Sequence, residues 1–203
     1  MIENKPFYKR GWFITLVVVG VVLIGMIGGF IKSSNSMSTS EQGVEEQLAQ
    51  VQTVLQRRAD LIPNLMNAVK GQQKQEKQVY GDISKARTEY YNSKSKYNNA
   101  NNSSDKVNAL SGQDRALNVM VGSIREAYPK LESNSNMQTL MVQLEGSENR
   151  ISVERNRYNK TAREYNNKLV KFPGSLVASI TNHKKANYFQ ADESAQKAPS
   201  VNF

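Results

Sequence analysis

Residues 12–31 form an unbroken apolar run, with no charged side chain and one weakly polar one, Thr15. As a helix rising ~1.5 Å per residue, such a run reaches ~30 Å, the thickness of a bilayer's hydrocarbon core. A cleavable secretory signal has a shorter apolar region of about 7–15 residues and a small-residue cleavage site after it. Neither feature is present here, so the expectation is an uncleaved signal anchor that crosses the membrane once. Lys5, Lys9 and Arg10 stand against Glu3 on its N-terminal side, whereas Lys32 alone precedes Glu41, Glu45 and Glu46 on the other. The positive-inside bias therefore favours a cytoplasmic N-terminus and an extracytoplasmic remainder. Gly25 and Gly29 form a GxxxG-like pair that is compatible with an oligomer.

This segment takes up much of the apolar content. Only 38% of all residues are hydrophobic and the mean hydropathy is −0.60, so the rest must fold around a thin core. There is no Cys and a single His, His183. That excludes disulfides, thiolate metal sites, Cys nucleophiles and lipid attachment at Cys, and leaves no metal or cofactor set to predict. No Gly-rich phosphate loop occurs, because Gly20 and Gly25 lie inside the apolar run without a following Lys-Ser/Thr.

Beyond 32–42, a Ser-rich stretch that reads as a linker, apolar residues recur at alternating spacings of three and four. Val44, Leu48, Val51, Leu55, Arg58, Ile62, Leu65 and Val69 fall on one stripe, broken only by Arg58. The frame continues through Glu76, Tyr80, Ile83, Tyr90 and Tyr97 without slipping at Pro63, which predicts one kinked helix over 43–98. The Asn/Ser-rich loop 97–105 follows, with Ser104 or Asp105 as the cap of the next helix. That helix places Val107, Leu110, Leu117, Val121, Ile124, Tyr128 and Leu131 in frame, with Asp114 as the exception, and stops within a turn of Pro129. The last long helix, capped by Ser135 or Asn136, carries Met137, Leu140, Met141, Leu144, Ile151, Tyr158, Tyr165 and Leu169, with Glu148, Arg155 and Ala162 between them. Pro173 and Gly174 end it, and Leu176, Ile180, Tyr188 and Phe189 suggest a short element packing back. No segment alternates with a strand's period of two. The expected architecture is all-α: a transmembrane helix, then an elongated antiparallel bundle of three to four long helices. Its boundaries are a basic flank 1–11, the anchor 12–31, the linker 32–42, the bundle 43–190 and a mobile tail 191–203.

Two stretches carry a family resemblance. One runs Gln56-Arg57-Arg58-Ala59-Asp60-Leu61-Ile62-Pro63-Asn64-Leu65 and then Val69-Lys70-Gly71. The other is Ala127-Tyr128-Pro129 with Leu131, then Leu144, Glu148-Asn149-Arg150-Ile151 and Arg157-Tyr158-Asn159. In spacing and order these resemble the signature segments of the LemA family of bacterial membrane proteins. Phe172-Pro173 and Tyr188-Phe189 fall where that family tends to have a Pro and an aromatic pair. The chain departs from it at Gln72, Gln73 and Lys74, where aromatic and His residues are common, and in lacking a lipoprotein Cys. The resemblance implies a membrane-anchored helical bundle of the cell envelope, with one branch of the family in internal membrane organelles. It implies no defined chemistry.

The candidate residues are therefore structural in the first instance. Arg58 on an apolar stripe needs a carboxylate partner, and Glu148 on the last helix is the candidate, in a layer that would set helix register. Arg57, Arg58 and Asp60 within one turn also offer a fork suited to an anionic ligand. Asp60 and Glu148 read as an acid/base pair would need a cleft, which narrow bundles seldom provide. His183 reads as exposed or capping. Tyr80, Tyr90, Tyr91, Tyr97, Tyr158 and Tyr165 alternate with basic residues, but mostly at stripe positions, so core packing is favoured and no nucleic acid is expected. Residues 33–203 carry a surplus of +6, with Lys70, Lys74, Lys77, Lys85 and Lys94 within neighbouring turns. The expected role is a membrane-anchored envelope scaffold or protein-interaction module, not an enzyme. The alternative is a basic domain that binds anionic headgroups or wall polymers.

Overall fold

The fold comes from a computed structural model that describes residues 11–69, 77–128 and 135–190, with the backbone alone at positions 77 and 78. Five helices follow in order: α1 (Gly11–Val69), α2 (Lys77–Asn98), α3 (Ser103–Ala127), α4 (Ser135–Val170) and α5 (Gly174–Thr181). There is no strand among the described residues. The basic flank, apart from Gly11, lies outside them, as do Glu76, Lys70, Lys74, Leu131 and the tail 191–203. The chain divides into two compact units. One combines Met1–Glu41 with Tyr165–Lys185, and the other Gln42–Glu164 with Ala186–Phe203.

The second unit is a four-helix up-down-up-down bundle. All eight residues of the first stripe, Val44 to Val69, are buried, Arg58 included. Their 3-4 repeat keeps one face of α1 turned inward. Lys94 Nζ lies 2.8 Å from Gln56 Oε1, and the Tyr90 hydroxyl lies 3.4 Å from the same oxygen. A single helix over 43–98 would hold Gln56 and Lys94 about 57 Å apart at ~1.5 Å per residue. The expectation of one kinked helix is therefore corrected. α1 runs through Pro63 to Val69, and α2, from Lys77, returns antiparallel beside it. A stripe in register on both arms of a hairpin cannot by itself distinguish a hairpin from one long helix. On α2 the buried positions are Val79, Ile83, Ala86, Tyr90 and Ser93, with Tyr80 at the edge.

α3 packs on α2 so closely that a Cβ at Gly112 would lie 2.6 Å from Ser93 Oγ. Its cap is Asn102, one position before the helix, rather than Ser104 or Asp105. Asn102 accepts the Asp105 N–H at 2.8 Å and donates its own amide to the Asp105 carboxylate at 2.7 Å. Asp105 thus sits at N3, tied to the cap through both its backbone N–H and its carboxylate. The last turn ends at Tyr128, whose N–H bonds the Ile124 carbonyl. The following proline disfavours helical backbone there. α4 is antiparallel to α1: Glu148 faces Arg58, and Thr161 faces Gly43. Ser135 and Asn136, the expected caps of α4, are both inside the helix.

In the first unit α1 is helical from its start, through 12–31 and through the Ser-rich stretch 32–42. Within this helical linker the hydroxyls turn back on the backbone. Thr39 and Ser40 donate to the carbonyls of Asn35 and Ser36 at 2.9 and 3.0 Å. Met37 is buried there. Lys168, near the end of α4, donates to the Ser36 hydroxyl at 3.0 Å and the Ser40 hydroxyl at 2.6 Å. α5 then starts against Met37. A Cβ at Gly174 would lie 2.1 Å from the Lys168 carbonyl oxygen and 2.8 Å from Met37 Cε, so only glycine fits. Asn182 closes α5 in the left-handed conformation, with φ 59°.

Candidate functional site

Each of three stripes is interrupted by a charge, and the fold brings these interruptions to one level of the bundle. Arg58 of α1, 2% exposed, places Nη1 3.1 Å from Asp114 Oδ1 of α3. Arg155 of α4 approaches the other oxygen of the same carboxylate at 2.7 Å. Arg58 Nη2 also lies 3.3 Å from Glu148 Oε2, whose side chain is 62% exposed. Two guanidiniums and two carboxylates make a layer that is neutral in sum and joins α1, α3 and α4. Glu148 is thus a partner of Arg58, but the buried partner is Asp114, which appears in the sequence only as a blemish on the α3 stripe. A charge on every stripe was the signal that could have found it.

Arg155 extends the layer to the C-terminal segment, since its guanidinium lies 5.1 Å from the centroid of Phe189. Phe189 meets Tyr158 edge-on at 5.1 Å. Asn159 grips the Phe189 backbone from both sides, donating to its carbonyl at 3.0 Å and accepting its N–H at 2.9 Å. The Tyr158 hydroxyl donates to the Asn187 carbonyl at 2.8 Å, and the Asn187 amide reaches the Ser104 hydroxyl. Tyr158 and Asn159 thus clasp a segment that has no helix of its own. Burial, the Glu45 charge and Tyr188 hold the Tyr158 phenol well above its ordinary range.

The other predicted residues lie outside this layer. Asp60 is exposed and accepts from Gln56 Nε2 at 2.7 Å. No hydrogen bond joins Asp60 to Glu148 among the described residues. Arg57, Pro63, Asn64, Asn149 and Arg150 are exposed, and Arg157 pairs with Glu154 one turn back. His183 is neither fully exposed nor a side-chain cap. Its side chain is 11% exposed, with Nδ1 3.0 Å from Glu41 Oε2 and the ring edge-on to Tyr165. The hydroxyls of Tyr158 and Tyr165 reach backbone carbonyls while their rings are buried. Lys94 is engaged by Gln56. No group of three or more potential metal ligands occurs among the described residues. A cavity of about 410 Å³ opens beside Pro63, lined by Ile62, Met66, Tyr80, Tyr91 and Met120, with Arg87 stacked on Tyr91 at 5.9 Å. Its walls are mainly apolar and aromatic.

Residues 47–203, which include the charge layer and the clasp, match the sequence profile of the LemA family. The chain belongs to the LemA family. Among curated relatives, it is 25% identical over 211 residues to the magnetosome proteins MamQ 1 and MamQ 2 of Paramagnetospirillum magneticum, an alignment covering 94% of this chain and 77% of each relative. A magnetosome protein MamQ of Magnetospirillum gryphiswaldense is 33% identical over 84 residues, 40% of this chain and 31% of that protein. The LemA chain thus carries the family's region together with, among the described residues, one helix long and apolar enough to cross a membrane.

Proposed function

We propose that this LemA protein is a single-pass, membrane-anchored scaffold whose helical bundle presents a binding face to other proteins and has no catalytic role. The observation that carries the reading is the continuity of α1, a single helix that contains both the apolar run 12–31 and the first stripe of the bundle. A charge layer that locks helix register suits a rigid platform better than a reaction centre, because its ionic groups are turned on one another. On α4, Val142 and Val153 are 63% and 47% exposed and three helical turns apart, on the side opposite the buried Ile151. Gly146 between them faces open space. This is the kind of shallow apolar stripe on which a partner helix docks. The named relatives are magnetosome proteins, and attachment to a membrane-bound assembly is in keeping with that.

The anchor's orientation follows the positive-inside bias, with the N-terminus cytoplasmic and the bundle outside. The chain's lack of Cys makes the test direct. Single cysteines at the exposed Asn108 and Ser152 should react with a membrane-impermeant thiol reagent in intact cells. Reaction only after the membrane is opened would reverse the orientation. For the scaffold role, photo-crosslinkers at Val142 and Val153 should give discrete, reproducible protein adducts in intact membranes, and one at Glu89 on α2 should not. No adduct from either valine would overturn this reading.

A further inference from the structure

We propose that the turn from α4 into α5 is a second membrane contact, with Val170, Phe172 and Leu176 seated in the headgroup boundary of the bilayer that α1 crosses and Lys171 paired with anionic lipid. The inference rests on the reading of residues 12–31 as a span.

The geometry lies within the first unit. Lys168 is bonded to Ser36 and Ser40, and Gly174 abuts Met37. Tyr165 and His183 lie at the level of Glu41, further along α1 from the apolar run. α4 therefore descends toward the apolar run, turns at 171–173, and α5 climbs away again. Met37 is six residues beyond Ile31, or about 9 Å at ~1.5 Å per residue. The polar zone of a bilayer is some 5–8 Å deep on each side, and amphipathic segments sink about 5–10 Å into its boundary with the acyl chains. The lowest part of the turn therefore falls at that boundary.

Its side chains suit that place. Phe172 is 79% exposed, Leu176 58% and Val170 52%, while Gly174, Val177 and Ala178 on the other face of α5 are buried. Large apolar groups clustered beside a span are costly in water and stabilised in lipid. The charge pattern agrees. Residues 165–185 hold Lys168, Lys171, Lys184 and Lys185 and no carboxylate, and Lys32 marks the exit of the span. Basic residues at this depth are attracted to anionic headgroups. Because α5 climbs, contact should fade along it, and Ile180, although 71% exposed, should stand clear of the acyl chains. A protein partner on the same face would not impose that gradient.

The test uses the full chain in vesicles of phosphatidylcholine and phosphatidylglycerol, with a nitroxide near the top of the acyl chains and one environment-sensitive probe per variant. Probes replace Phe172, Leu176 or Ile180. Leu23→Cys reports on the span. The expected result is quenching that declines from position 172 to 176 to 180. Lys171→Glu, or omission of phosphatidylglycerol, should reduce quenching at 176. If Leu23 is buried in lipid while 172 and 176 stay in water, the second contact is overturned and the span stands. Unquenched probes at 23, 172 and 176 would overturn both. Equal quenching at 172, 176 and 180 would also overturn the proposal, because the climb of α5 forbids it.

Discussion

At the scale of single residues, the energetic weight of the charge layer sits on Asp114 rather than on Glu148. A buried carboxylate between two guanidiniums has no water to replace them. Removing it leaves Arg58 and Arg155 facing each other, and breaking a buried pair costs about 3–5 kcal/mol. Glu148 reaches the same Arg58, but from solvent, and an exposed pair contributes about 0–1 kcal/mol. Asp114→Ala should therefore lower unfolding stability severalfold more than Glu148→Ala in urea titrations of the membrane-reconstituted protein. Equal losses would remove the hierarchy inferred from the distances. Both residues occupy stripe positions, so the periodic pattern ranks them alike. Their difference in exposure is a property of the packed neighbours.

At the scale of elements, the C-terminal segment 183–190 is held by a few well-placed contacts and has no helix of its own, and α5 is a short helix seated against Met37. Asn159 satisfies both backbone groups of Phe189, so Asn159→Ala leaves a buried N–H and C=O without that partner, at about 1–3 kcal/mol locally. Hydrogen exchange at the Phe189 amide should accelerate while α3 amides keep their protection. Slow exchange at Phe189 in the variant would show that the aromatic contacts suffice. Gly174→Ala should disrupt α5 more sharply. The new methyl would meet the Lys168 carbonyl at 2.1 Å, and a backbone oxygen within a helix cannot step aside as a side chain can. Overpacking of this kind costs about 1–3 kcal/mol, read as faster exchange through 175–180. An unchanged exchange pattern would mean that the approach is looser than described.

At the scale of the whole molecule, the buried tyrosines set an alkaline limit to stability. Burial first, then the Asp60 charge and Tyr91, push the Tyr90 phenol from 10.0 up to about 12. Burial first, then the Glu41 charge and a hydrogen bond to Glu41, bring Tyr165 to about 12. Below pH 10 both phenols are protonated whether folded or not, and their contribution to stability is intact. Between pH 10 and 12 the unfolded chain releases protons that the folded one retains, so stability falls as pH rises. Far-ultraviolet circular dichroism should show unfolding in that window, with the last phenolate absorbance appearing together with loss of helix. Tyr90→Phe and Tyr165→Phe should each flatten the decline. Ionisation of all tyrosines with the helices intact would contradict the burial of these rings.

The apolar run, the helical stripes, the breaks near residues 100, 130 and 173 and the family segments can all be read directly from the sequence. Each is a short-range pattern of residue type, and periodicity is local. The return of α2 beside α1 was not legible, because the stripe keeps its frame along both arms. Nor was it legible that 32–42 would be helix, since Ser is an indifferent helix former and the contacts of Lys168 with Ser36 and Ser40 are tertiary. Asp114 read as an exception until α1 and α4 brought an arginine to each of its oxygens. Gly174 read as a helix stop, and its requirement for no side chain came from the Lys168 carbonyl, which the turn out of α4 brings back against it. Partner choice depends on which distant segments share a level of the bundle, and only the tertiary structure decides that.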